Sequence, residues 1–142
     1  MTPAQIQLVQ TSLTKVLPIA SVAADLFYAR LFEIDPSLKP LFKGDLKRQG
    51  QMLMSMIATA VRSLSNPDGL IPVLRNLGQR HAAYGVTDAH YATVATALIW
   101  TLEQGLGADF TPEVRGAWVA AYELMADTMM QAAHEAPLQA AA

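Results

Sequence analysis

His81 is the side chain of this sequence whose type and position are best suited to binding a metal ion. Helical spacing places it on the same face as Leu74 and Leu77, one turn after Leu77. A neutral imidazole can coordinate a metal through Nε2 while Nδ1 donates a hydrogen bond to the Leu77 carbonyl, which fixes the ring. A histidine that only packs in the core is the alternative, and the residues around His81 leave it open. The other two histidines are His90 and His134.

A second set of candidate residues lies earlier in the chain. Gln49, Leu53, Met56 and Ala60 recur at helical spacing, so they share one face of one helix. Gln49 is polar on an otherwise apolar face, although its two cationic neighbours would also suit a solvated residue. Tyr28 lies on a core helix, where a buried hydroxyl needs a carbonyl or a water as its partner.

The composition limits the classes of protein to which the chain can belong. It has 142 residues, which suits one domain, and 52% of them are hydrophobic. Only 15% are charged, below the roughly 25% of an average soluble domain, so a buried ligand or a subunit interface would take up the apolar surplus. The net charge of −2 gives no general basic surface for nucleic acid or anionic lipid. The absence of cysteine excludes disulfides, thiolate metal sites and thioether-linked haem.

The start of the chain has no signal-peptide pattern, because no cationic stretch precedes an apolar run. No apolar run approaches the roughly 20 residues that span a bilayer. We therefore expect a soluble, cytoplasmic protein that does not interact with membranes.

The positions of apolar residues and capping signals predict an all-α domain of six main helices plus a short helical corner. Thr2 and Pro3 start the first helix, Pro36 ends the second, and Thr87 caps the fifth. We expect one domain over residues 1–137 and a frayed tail over 138–142. The expected helices cover residues 2–17, 18–34, 46–64, 70–84, 87–106 and 111–136, with the corner at 37–42.

The order of these helices and several motifs resemble the globin family over most of the chain. The likeness is greatest to bacterial single-domain haemoglobins, to the haem domain of flavohaemoglobins and to neuroglobin-like globins. The motifs are Leu26–Phe32, Pro40–Phe42, Leu77–His81 followed by Tyr84–Val86, and Phe110–Pro112 with Ala117, Trp118 and Tyr122.

The resemblance implies a globin fold with non-covalent haem b between the helix over 46–64 and the helix over 70–84. His81 matches the residue that binds the iron. Tyr28 and Gln49 match residues that face the gas ligand and donate hydrogen bonds to it. The implied haem contacts are Phe42, Leu53, Met56, Leu77, Arg80, Val86, Tyr91, Val94 and Leu98, with Arg80 either paired with a propionate or solvated.

The chain departs from its flavohaemoglobin relatives on the His81 side of the expected site. Tyr91 matches a tyrosine that bonds to a late-helix glutamate in those proteins, and that pair makes the proximal imidazole more anionic. The matching late position here is Ala133, and Glu135 is two residues away on another helix face. The sequence therefore gives no support for peroxidase-like chemistry.

Three functions follow from the resemblance. The first is reversible binding of O₂, or of NO and CO, by a carrier, sensor or store, as a monomer or homodimer. The second is nitric oxide dioxygenase activity, which would need an external reductase because no flavin or nicotinamide domain and no Gly-x-Gly-x-x-Gly motif accompanies the globin unit. The third is a haemless signalling module, which the presence of His81 disfavours.

Overall fold

The computed structural model describes residues 1–42 and 44–141, with side chains up to residue 135. No strand occurs among these residues, which confirms the expected all-α architecture. The six helices are α1 (Pro3–Val16), α2 (Ala20–Ile34), α3 (Leu46–Arg62), α4 (Pro67–Ala83), α5 (Asp88–Leu106) and α6 (Pro112–Ala141). Short 3-10 helices cover Leu17–Ile19, Pro36–Leu41, Ser63–Ser65 and Gly107–Asp109.

Side-chain caps set the starts of three helices. Thr2 and Gln5 form the expected reciprocal cap of α1, with N–H···O distances of 2.9 and 3.1 Å. The Thr87 N–H donates to Nδ1 of His90 at 3.0 Å at the start of α5. Asp45, which the sequence analysis did not single out, accepts from the Lys47 N–H at 2.9 Å and starts α3.

Three helix ends differ from the expected positions. α2 begins at Ala20, because Pro18 lies in a preceding 3-10 turn. α4 begins at Pro67 and not near residue 70, since proline fits the first helical turn, where its missing N–H is not needed. The expected end of α6 near residues 133–136 is wrong. The helix continues through residue 137 to Ala141, in a stretch rich in alanine, the residue with the highest intrinsic helix propensity. Ala142 lies outside the described residues.

The main core draws side chains from all six helices around Trp118, which is 1% exposed. The Trp118 indole Nε1 donates a hydrogen bond to the Ser12 hydroxyl at 2.8 Å, and Ser12 in turn donates to the Leu8 carbonyl at 2.7 Å. These two hydrogen bonds satisfy the buried indole N–H and the buried hydroxyl, and they fix α1 against α6. None of the described helices is both long and apolar enough to cross a membrane.

Two glycines permit the helix contacts that shape the rest of the fold. A Cβ on Gly50 would lie 2.9 Å from the Cβ of Ala24, so α3 crosses α2 at a distance that only glycine allows. Gly78 of α4 lies directly against the backbone of Met129 in α6, and any larger residue would clash there. The first contact positions α3 and the second positions α4, the two helices on which the expected site residues lie.

Candidate functional site

α3 and α4 take part in different helix pairs. Among the described residues, α3 packs against α2 and α1, whereas α4 packs mainly against α6. A second apolar cluster, on α2, the helical corner and α5, is formed by Phe27, Tyr28, Leu31, Leu38 and Ala97. Five half-buried side chains pack against that cluster and stay partly exposed, as the walls of a slot would: Phe32, Phe42, Leu53, Val94 and Leu98.

His81 is held on α4 in one orientation. Its Nδ1 lies 2.7 Å from the Leu77 carbonyl oxygen, the contact that helical spacing predicts. The ring is half-buried, and Nε2 makes no hydrogen bond with any described residue. An imidazole whose Nδ1 donates to a carbonyl is the tautomer with a lone pair on Nε2, so His81 is prepared to coordinate a metal.

Tyr28 lies on α2 within a group of aromatic rings. Its ring centroid is 5.4 Å from that of Phe27, 6.1 Å from that of Phe32 and 5.3 Å from that of Phe42. The residue is 7% exposed, yet its hydroxyl has no hydrogen-bond partner in the described part of the chain. Burial raises the pKa of this hydroxyl above its ordinary value of 10.0, so at neutral pH it is a protonated donor or acceptor.

Gln49 comes one residue before the close contact of α3 with α2. A Cβ on Gly50 would lie 3.6 Å from the Tyr28 ring, so the crossing brings the backbone beside Gln49 up to Tyr28. The Gln49 side chain is half-buried, and its Nε2 lies near Gly44 in the loop before α3. The two expected ligand-facing residues therefore belong to helices that touch at this point.

The residues present fit a haem. No cluster of three or more His, Cys, Asp or Glu side chains that could hold a metal occurs among the described residues. A metal bound by His81 would therefore need its other ligands from a cofactor, as iron in a porphyrin has them. The apolar slot walls suit the faces of such a flat group, and the unpartnered Tyr28 hydroxyl suits a small polar ligand.

Comparison with known proteins identifies the family. The sequence model of the family described as Globin matches residues 25–129. This chain belongs to the globin family. The globin fold inferred from the sequence is therefore confirmed.

The relatives of this globin include much longer proteins. A flavohemoprotein of Chromobacterium violaceum is 33% identical over 108 residues, which are 73% of this chain and 26% of that protein. A flavohemoprotein of Xylella fastidiosa is 30% identical over 130 residues, which are 89% of this chain and 32% of that protein. This globin thus spans about a quarter to a third of the length of these curated relatives. A rice anaerobic nitrite reductase is 33% identical over 106 residues, 70% of this chain and 73% of that protein.

A solved structure matches the whole globin. It is an engineered carbene transferase from Rhodothermus marinus, whose parent is provisionally assigned as a nitric oxide dioxygenase. The two share 27% identity and superpose with a TM-score of 0.88, over 100% of this chain and 99% of that one.

The remaining expected haem contacts lie on α3, on α4 and just after the end of α4. Leu77 and Val86 are half-buried, whereas Met56 is 39% exposed. Arg80 is exposed on α4, and its Nε donates to the Asn76 side chain at 2.8 Å. Asn76 therefore orients Arg80, a role that the sequence analysis missed although the i,i+4 spacing could have revealed it.

Tyr91 has no carboxylate partner among the described residues. Its hydroxyl is buried and unpaired in the described residues, while the Tyr122 hydroxyl donates to the Tyr91 carbonyl at 2.6 Å. Glu135 pairs instead with Arg75. Burial, and then the charge of Asp88, raise the pKa of Tyr91. Tyr91 is therefore protonated at neutral pH.

The sequence analysis also missed Phe32. Its ring stacks with that of Tyr28 at an interplanar angle of 19°, and it meets Phe42 at 5.4 Å. The i,i+4 spacing of Tyr28 and Phe32 on one helix was the signal that could have found it. Phe32 and Phe42 together hold the Tyr28 ring from two sides.

Proposed function

We propose that this globin binds haem b non-covalently, with Nε2 of His81 as the protein ligand to iron, and binds diatomic gases reversibly. The observation that carries the proposal is the 2.7 Å contact of His81 Nδ1 with the Leu77 carbonyl, since in the neutral imidazole it leaves the lone pair on Nε2. The flavohemoprotein relatives support a haem cofactor. When bound, ferrous haem supplies a coordination position that accepts O₂, NO or CO.

The protein's own contribution is to hold the gas and the cofactor. The Tyr28 hydroxyl and the Gln49 amide donate hydrogen bonds to a ligand that carries partial negative charge. Bonds of this kind contribute on the order of 1.5–3 kcal/mol. Because about 1.4 kcal/mol corresponds to a factor of ten, each donor slows ligand escape roughly tenfold to a hundredfold.

The cofactor is held by apolar walls and one cation. Phe42, Leu53, Val94 and Leu98 line the slot, and burial of the porphyrin against them contributes at roughly 25 cal/mol per Å². Arg80, oriented by Asn76, would pair with a propionate at the exposed edge.

Nitric oxide dioxygenase activity is the second candidate. It is favoured by the similarity to the Rhodothermus marinus structure and to flavohemoproteins. Each turnover would combine one NO, one O₂ and one electron to give nitrate, so the activity needs a reductase as the source of the electron. Mixing the oxygenated protein with NO in a stopped-flow instrument, then adding a reductase, separates the two functions. Nitrate formation without renewed turnover would favour gas binding.

The test of the cofactor proposal is spectroscopic. The purified protein should bind one equivalent of haem and absorb strongly in the Soret region. His81→Ala should change the ferrous spectrum and bind haem more weakly, and added imidazole should restore the wild-type spectrum. His134→Ala is the matched control, because His134 is exposed and pairs with Asp88. A protein without haem affinity, or equal spectra for His81→Ala and wild type, would contradict the proposal and favour a haemless module.

A further inference from the structure

Four neighbours enclose the Tyr28 ring on α2. The rings of Phe27 and Phe42 meet it at interplanar angles of 67° and 72°, whereas that of Phe32 is nearly parallel to it at 19°. The Cβ position of Gly50 lies 3.6 Å from Tyr28 Cε2, the carbon next to the one that carries the hydroxyl. The other side chains of this apolar cluster carry no polar atom, so none of them competes for that hydroxyl.

Only one kind of side-chain rotation moves the Tyr28 hydroxyl. Its oxygen lies on the axis that runs from Cβ through the ring, so a ring flip at χ2 leaves it in place. A change at χ1 swings the ring as a whole and carries the oxygen away. Long side chains on a helix commonly occupy χ1 rotamers of about 180° or −60°. The position of this donor therefore depends on which neighbours stabilise one rotamer over the other.

Phe32 stabilises the rotamer that Tyr28 adopts. It follows Tyr28 by one helical turn, and its ring centroid is 6.1 Å away, within the range of an offset stack. A change at χ1 of Tyr28 would give up this contact. Phe32 is itself braced by Phe42, whose ring meets it at 5.4 Å and 71°. Phe42 in turn lies 5.3 Å from Tyr28, so the three rings form a closed triangle.

The segment between Phe32 and Phe42 is fixed by local hydrogen bonds. Asp35 accepts from the Ser37 N–H at 3.1 Å where the helical corner begins, and the Phe42 N–H donates to the Lys39 carbonyl at 3.1 Å. The ring that braces Phe32 therefore belongs to an ordered corner.

We propose that Phe32 is a positioning residue, which holds Tyr28 in one χ1 rotamer and thereby sets how strongly the site prefers O₂ to CO. The inference rests on the proposed function, in which the Tyr28 hydroxyl donates to the bound gas. O₂ as a ligand carries more negative charge than CO does, so it gains more from this donor. The gain needs alignment, because a hydrogen bond weakens steeply when its angle falls below about 120°. Phe32 has no polar atom and acts only through Tyr28.

The test removes the flat ring while keeping the position apolar. Phe32→Leu does this, and Phe110→Leu is the control, because it makes the same change at a half-buried position beside the main core. Each substitution is made in the wild type and in Tyr28→Phe. Flash photolysis and stopped-flow mixing give the dissociation rates of O₂ and CO. Three-bond couplings of isotope-labelled tyrosine, measured in the diamagnetic CO form, report the χ1 rotamer of Tyr28.

We expect Phe32→Leu to speed O₂ dissociation about threefold to tenfold, since a misaligned donor keeps part of its bond. CO dissociation should change by less than about twofold, because CO gains less from the donor. In Tyr28→Phe, the further change Phe32→Leu should leave both rates unaltered. The couplings should show one rotamer in the wild type and in Phe110→Leu, and an average of two in Phe32→Leu.

Several results would overturn the positioning role. Equal increases for O₂ and CO would show that Phe32 only limits the width of the pocket. An equal increase in O₂ dissociation with and without the Tyr28 hydroxyl would show that Phe32 acts independently of Tyr28. A single Tyr28 rotamer in Phe32→Leu would have the same consequence. If Phe32→Leu did not fold, Phe32→Met, which fills the volume without a flat face, takes its place in these comparisons.

Failure of the proposed function has a different signature. A protein that binds no haem, or an O₂ dissociation rate that is unchanged in Tyr28→Phe, contradicts that function regardless of Phe32. The couplings, measured then in the haem-free protein, would still decide whether Phe32 holds the Tyr28 rotamer.

Discussion

Gly50 of α3 and Ala24 of α2 are in contact at the point where the two helices cross. A methyl group on Gly50 would approach the Ala24 Cβ to 2.9 Å and the Tyr28 ring to 3.6 Å. Gly50 is buried, and Ala24 is only 4% exposed. This contact sets how near Gln49 comes to Tyr28.

Gly50→Ala should therefore lower the free energy of unfolding by about 1–3 kcal/mol, because the added methyl group overpacks the crossing. Urea denaturation measures the change. Gly116→Ala in α6 is the matched control, because nothing lies within 4 Å of its Cβ position, and alanine there should stabilise the helix by roughly 0.5–1 kcal/mol. Equal effects of the two substitutions would show that the α2–α3 contact is not tight.

Tyr28→Phe should increase the rate of O₂ dissociation about tenfold to a hundredfold, since it removes one charge-assisted hydrogen bond to the ligand. Flash photolysis or stopped-flow displacement by CO measures this rate. Tyr122→Phe removes a hydroxyl bonded to the Tyr91 carbonyl, away from the Tyr28 cluster, and should leave the rate unchanged. An unaltered dissociation rate in Tyr28→Phe would contradict the proposal that the Tyr28 hydroxyl donates a hydrogen bond to the bound gas.

Tyr91→Phe should leave stability unchanged or raise it, because it removes a buried hydroxyl that has no hydrogen-bond partner in the described residues. Tyr122→Phe should lower the free energy of unfolding by about 1 kcal/mol, since it breaks a bond of 2.6 Å to a carbonyl. Thermal or urea unfolding of both variants gives the comparison. If Tyr91→Phe lowered the free energy of unfolding as much as Tyr122→Phe does, the result would indicate a hydrogen-bond partner for the Tyr91 hydroxyl, such as a bound cofactor or a water.

Stability should decrease as the pH rises above about 10. Burial raises the pKa of Tyr28, Tyr91 and Tyr122, so the unfolded chain loses these protons at a lower pH than the folded one. Above that pH the folded state binds more protons, and the free energy of unfolding falls with increasing pH. Between pH 8 and pH 11, urea unfolding should show a smaller decrease in the free energy of unfolding for Tyr122→Phe than for the wild type. Tyr84→Phe changes an exposed residue, so the free energy of unfolding of this variant should fall with pH as steeply as that of the wild type.

Local sequence patterns predicted most of the fold. The reciprocal cap of Thr2 and Gln5 and the cap at Thr87 each depend on residues no more than three positions apart. The contact of His81 with Leu77 follows from one turn of helix. The errors lie at proline-containing ends, such as Pro67 and the end of α6, where the same residue can start, interrupt or be tolerated in a helix.

The sequence by itself determined where the helices lie and which side of α4 presents His81, because helical periodicity is a property of neighbouring residues. Only the tertiary structure decided that Gly50 meets Ala24, that Glu135 pairs with Arg75, and that the hydroxyls of Tyr28 and Tyr91 lack partners among the described residues. These relationships join residues on different helices. Whether such groups meet depends on how whole helices pack, which no short stretch of sequence specifies.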